Sequence, residues 1–135
     1  MRFHRLTLPL ALLLCACARH DAAPARPASC TPQLQTRLYL GLDTPTGPVH
    51  DADWQRFVDD VVTPRFSDGL TVLEARGQWR DAHGVTTREA SRVIEIVHGE
   101  AVAQQQKLAE IAGHYKARFR QQAVLLTQAP VRACL

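Results

Sequence analysis

The chain has 135 residues, 46% of them apolar, and a formal charge of +3. That is enough apolar sequence for one core. The charge is weak and no block of Lys or Arg occurs, so the electrostatic footprint of a nucleic-acid surface is missing.

A short basic start (Arg2, His4, Arg5) leads into an apolar run over residues 6–14 and then into Leu14-Cys15-Ala16-Cys17. The layout is that of a secretory signal. The run is too short to span a bilayer, which takes roughly 20 apolar residues. Its last four residues resemble the lipobox of bacterial lipoproteins, which implies cleavage after residue 16 and acylation of Cys17. Acyl chains contribute about 0.8 kcal/mol per buried CH₂, so several on one cysteine hold a protein on a membrane. Ala18, rather than Asp, follows Cys17; the expected address is therefore the outer membrane, facing the periplasm, with a soluble periplasmic or secreted product as the alternative. Loss of residues 1–16 removes two arginines and no acid, leaving 14 basic against 13 acidic residues, a net charge of +1. Residues 17–29 are rich in Ala and Pro and read as a tether. Residues 30–135 form the single expected domain.

Within that domain residues 36–42 alternate, with Leu38, Leu40 and Leu42 on one face and Arg37 and Tyr39 on the other. That is the pattern of a half-buried strand. Residues 43–48 read as a loop and Asp51 as a helix N-cap. Trp54, Phe57, Val58, Val61 and Val62 then share one helical face, which Pro64 ends. Residues 70–80 predict a second strand with a bulge at Gly77. Asp81-Ala82-His83-Gly84 is a hairpin-type turn, and residues 91–98 are a third strand with Ile94 and Ile96 toward the core. A second helix from Glu100 carries Leu108, Ile111, Ala112, Tyr115 and Phe119 on one face. Residues 122–128 are the last strand.

The order β-α-β-β-α-β predicts an α+β, ferredoxin-like sandwich: a four-stranded antiparallel sheet in order 4-1-3-2 with two helices on one face. In that layout the last strand runs antiparallel beside the first. Cys30 precedes Thr36 by six residues and Cys134 follows Gln128 by six, so both thiols reach the same sheet edge. An oxidising compartment would join them as a disulfide; the alternative is two separate thiols.

Long stretches resemble an uncharacterised bacterial family of exported, lipoprotein-type domains, known as a domain of unknown function. They include Thr36-Arg37-Leu38-Tyr39-Leu40-Gly41-Leu42, Asp53-Trp54-Gln55-Arg56-Phe57-Val58, Arg65-Phe66-Ser67-Asp68-Gly69-Leu70 and Ala75-Arg76-Gly77-Gln78-Trp79. The resemblance implies domain limits and export, and it assigns no activity.

Tyr39, Arg76, Gln78 and Glu95 are the candidate ligand-binding residues, assigned to the helix-free face of the sheet, while Trp79, Leu73 and Ala75 are assigned to the helix side. An Arg and a Glu on one face make either a cross-strand pair or a polar ligand site. His50, Asp51, Asp53, Asp81 and His83 converge at one end, but no metal-binding spacing such as His-x-Glu-x-x-His occurs, so neither metal nor cofactor is expected. His98 and His114 read as surface residues. No nucleophile elbow, P-loop or dinucleotide fingerprint is present. Two functions remain. One is a non-catalytic envelope module that binds a small molecule or protein. The other is a cofactor-independent enzyme with a cleft on the helix-free face, formed by homodimerisation.

Overall fold

The computed structural model describes residues 29–80 and 83–135. The expected leader, Cys17, nearly all of the expected tether, and Asp81 and Ala82 of the expected turn lie outside the described residues. The elements are β1 (Cys30–Gly41), a short hairpin β2 (Asp43–Thr44) and β3 (Gly47–Pro48), and α1 (Asp51–Phe57), which a π-helical turn (Val58–Val62) extends. They continue with β4 (Thr71–Arg80), β5 (Thr86–His98), α2 (Val102–Phe119) and β6 (Leu125–Cys134). The four long strands form one antiparallel sheet in the order β4-β5-β1-β6. This is the expected ferredoxin-like arrangement, with the β2–β3 hairpin in place of a plain loop. Among the described residues no helix is long and apolar enough to cross a membrane.

Strand alternation builds the core. Leu38 and Leu40 of β1 sit beside Ile94 and Ile96 of β5, and all four are buried. Trp54, Phe57, Val58 and Val62 cover them from α1 and its extension; Leu108, Ile111, Tyr115 and Phe119 do so from α2. Tyr115 is central. Its ring lies 5.1 Å from that of Phe57 and 4.8 Å from that of Phe119, and its hydroxyl donates to the Gly41 carbonyl at 2.7 Å. Burial pushes the phenol well above its ordinary pKa, so it stays a donor.

α1 differs from expectation at both ends. Its N-cap is His50, which makes no side-chain cap bond. Asp51 is instead the first helical residue, and its carboxylate accepts from Arg92 Nη2 at 2.6 Å. The Arg92 guanidinium is largely buried over the Trp54 ring, 5.0 Å from its centroid, and also donates to Glu74 at 3.1 Å. A cation there needs counter-charge, and Asp51 supplies it while facing the favourable end of the helix dipole. At the other end the Thr63 N–H reaches back to Val58 O at 2.9 Å, an i→i+5 bond. Pro64, without an N–H, cannot continue the ladder.

His98 is buried, contrary to expectation, because its position on β5 points it to the helix side. Its Nδ1 donates to the Gly99 carbonyl at 2.7 Å. Nε2 then accepts from the buried Thr36 hydroxyl at 2.7 Å, and Thr36 accepts from Gln128 Nε2 at 2.9 Å. Every member of this chain has a partner, so its burial carries no desolvation penalty for a lost bond.

β1 and β6 run further than the alternation suggested. They stay paired down to Cys30 opposite Cys134. The two cysteines form a disulfide across 104 residues of sequence, the pairing that the strand order predicted. Closing so long a loop restricts the unfolded chain. Replacing both cysteines by alanine should therefore lower the unfolding free energy by about 4 kcal/mol. The measurement is urea unfolding of the oxidised protein against the variant, with reduced wild type matching the variant.

Candidate functional site

Hydrogen-bond register decides which side chains share a face of the sheet. β4 pairs with β5 without interruption from Thr71 opposite Glu95 to Arg80 opposite Thr86, so Gly77 makes no bulge. Residues directly opposite point the same way. Leu73, Ala75, Gly77 and Trp79 therefore share a face with Glu89, Ser91, Val93 and Glu95, and through β1 with Arg37, Tyr39 and Gly41. This is the helix-free face. Tyr39 and Glu95 lie on it as expected. Arg76 and Gln78 do not: they pair with Ala90 and Arg88 on the opposite side. Trp79, Leu73 and Ala75 are likewise the reverse of the expected assignment. The physical reason is that Glu74, Arg76, Gln78 and Arg80 are exposed on the helix side of this edge strand, so no second layer there selects apolar residues for that side.

Tyr39 and Glu95 are joined through a third residue. Arg37 Nε donates to Glu95 Oε2 at 2.6 Å and also meets the Tyr39 side chain. Arg37, then Gln35, holds the Glu95 carboxyl below the ordinary range. Glu95 is thus an ionised, engaged group and a poor proton acceptor.

The group with the most unusual surroundings on this face is Glu89, which the sequence reading did not single out. Its carboxylate lies over Gly41, so close that a Cβ added there would stand 2.7 Å from both oxygens. It interacts with the Asp43 backbone and the Trp79 side chain. Gln121 steadies that corner by donating to the Asp43 carbonyl at 2.6 Å. Partial burial pushes the Glu89 carboxyl above its ordinary value, and the Asp43 charge adds to this; the bonds from Asp43 and Trp79 oppose it without cancelling it. Among the described residues no basic side chain forms an ion pair with Glu89. Arg37 is the one cation on this face by register, and Glu95 answers it. Trp79, beside Glu89, is 41% exposed; Leu73 and Leu125, 43% and 60% exposed, lie further along the same face. The signal in the sequence was the pair Gly41 and Glu89, but only the register brings them together.

Along the same hairpin, Arg76, Gln78 and Arg88 line an open groove of about 840 Å³ with Glu74, Glu89 and Asp43. Of the residues considered for a metal, Asp51 binds Arg92 and Asp53 binds Arg56. His50 and Asp53 border a smaller hollow of about 170 Å³. Among the described residues no three His, Cys, Asp or Glu side chains converge as metal ligands do; Asp81 lies outside that set.

A family model described as "Protein of unknown function (DUF3574)" matches residues 35–135. The chain belongs to the DUF3574 family. The match begins inside β1 and runs through β6, so the DUF3574 domain includes both the helix-free face and the Arg-lined groove. No curated protein matches the chain. Among solved structures it is similar to a phage SAM lyase in complex with S-methyl-5′-thioadenosine, at 16% identity and a TM-score of 0.56, covering 76% of this chain and 90% of that one. The apo state of a phage SAM lyase is similar too, at 16% identity and a TM-score of 0.55, covering 77% of this chain and 89% of that one. At that identity the likeness is one of fold.

Glu89 has a pH signature. The folded chain binds its proton more tightly than the unfolded chain, so stability falls as pH rises from the ordinary value of 4.5 through the raised folded value. Glu89→Gln should remove that loss. Denaturant unfolding should show the variant gaining on wild type progressively across this window. Gly41→Ala should displace the flexible carboxylate with little cost to the fold, and carboxyl titration by NMR should then find Glu89 moved back toward the ordinary range.

Proposed function

We propose that this DUF3574 protein is a lipid-anchored envelope protein whose domain binds a small organic cation on the helix-free face of its sheet. One observation carries the reading. Glu89 is a carboxylate seated between Gly41 and the exposed Trp79, without a basic partner among the described residues. An aromatic face beside a carboxylate attracts a weakly hydrated cation, and the cation–π part contributes about 0.5–2 kcal/mol. Seating a partly desolvated acid here works against stability, as is common where a group serves binding rather than folding.

The anchor rests on Leu14-Cys15-Ala16-Cys17. The Cys30–Cys134 disulfide is in keeping with export to an oxidising compartment. Labelled palmitate should enter the wild-type protein and not Cys17→Ser; an unlabelled, soluble wild type would remove the anchor from the reading.

Binding is tested with tetramethylammonium, choline and SAM (a sulfonium) by calorimetry on the full chain. Saturable binding of at least one, weakened about tenfold in Glu89→Gln and in Trp79→Leu, is expected. Binding equal in both variants, or none with any probe, would sink the site.

A cofactor-independent enzyme is the second reading. It draws on the raised Glu89 carboxyl, a group suited to holding a proton near a bound substrate, and on the fold shared with phage SAM lyase. A second copy of the chain covering the face would enclose the cleft. Turnover of SAM, with sedimentation showing a dimer, would favour this reading over simple binding.

A further inference from the structure

The helix side of the β4–β5 hairpin carries charges that nothing in the fold requires. Arg76 of β4 stands opposite Ala90, and Arg88 of β5 stands opposite Gln78. The two arginines are thus diagonal neighbours on one face, with backbones about 7 Å apart. Arg80, opposite Thr86, continues the row. Two like charges at this separation repel each other.

Among the described residues, nearby acids do not relieve them. Glu74, the acid closest along β4, is bonded to Arg92 at 3.1 Å and 3.3 Å. Asp43 lines the same groove but forms no ion pair with Arg76 or Arg88. The Glu89 carboxylate is turned to the other face, over Gly41. Arg37, Arg56, Arg65 and Arg92 all have carboxylate partners. Arg76, Gln78 and Arg88 border a groove of about 840 Å³, which Asp43, Glu74 and Glu89 also line. That volume is within the range of small-molecule sites.

We propose that Arg76, Gln78 and Arg88 form a binding site for a ligand bearing an oxyanion, a phosphate or a carboxylate group. Two guanidinium forks converging on one anion give paired N–H···O bonds, and the anion cancels the repulsion between them. Gln78 supplies a further neutral donor. Glu89 also borders this groove, with its carboxylate turned toward Gly41, so the two proposed sites are neighbours that differ in the charge they bind.

The test uses the full chain in detergent at fixed ionic strength, with pyrophosphate and citrate as probes and calorimetry as the readout. Wild type should bind at least one of them saturably; the preferred probe tells a phosphate site from a carboxylate site. Arg76→Gln/Arg88→Gln should weaken that binding by at least about tenfold. The same variant should melt no lower than wild type without the anion, since repulsion has been removed. Arg76→Lys/Arg88→Lys, which keeps the charge but loses the forks, should fall between the two. Glu89→Gln, which removes a negative charge from the border of the groove, should bind the anion at least as well as wild type while it weakens the cation site. Equal binding in wild type and the glutamine variant, or no saturable binding of either probe, would overturn the proposal.

Discussion

An unbroken antiparallel register through β4, β5 and β1 is the constraint on which the rest of the structure depends. Side chains in a strand alternate strictly, so a single inserted residue would exchange the two faces beyond it. No residue is inserted between Thr71 and Arg80. The register therefore places Leu38, Leu40, Ile94 and Ile96 under the helices, and it also places Glu89 and Trp79 together on the other side and Arg76 beside Arg88 on the helix side. Core and candidate sites come from the same alternation.

The two halves of the sheet do different work. Near the middle of β1 the sheet is covered by α1 and α2, and the aromatic cluster around Tyr115 ties both helices to the strand through Gly41. Toward the cysteines, β1 and β6 extend as a paired ribbon closed by the disulfide. Toward the β4–β5 turn, β4 exposes side chains on both of its faces. One face then carries a carboxylate and an indole, and the other a row of arginines. A fold that is rigid where it is covered and chemically varied where it is exposed is a reasonable platform for recognition.

Gly41 links these regions. Its carbonyl accepts the Tyr115 hydroxyl on the helix side, while its missing Cβ leaves the space that Glu89 fills on the other. Both facts are local to one residue of the central strand. They couple the packing of α2 to the seat of the carboxylate, and Gln121, just beyond α2, adds a second tie through Asp43.

Much of the architecture was legible in the chain. Alternation at Leu38, Leu40, Ile94 and Ile96 and the helical spacing of Trp54, Phe57 and Val58 identify elements because they follow local periods of two and 3.6. Element order then limits the topology to few choices, and the cysteine spacing follows from it. The face of Arg76, Gln78 and Trp79 was not legible. Local hydrophobicity predicts a side only where a second layer covers the strand, and Arg76, Gln78 and Arg80 are exposed on the helix side of this edge strand. Nor did the sequence show that Asp51 answers Arg92, that His98 is buried against Thr36, or that Glu89 rests over Gly41. Each of these joins residues tens of positions apart, and only the pairing of distant strands brings them within bonding distance.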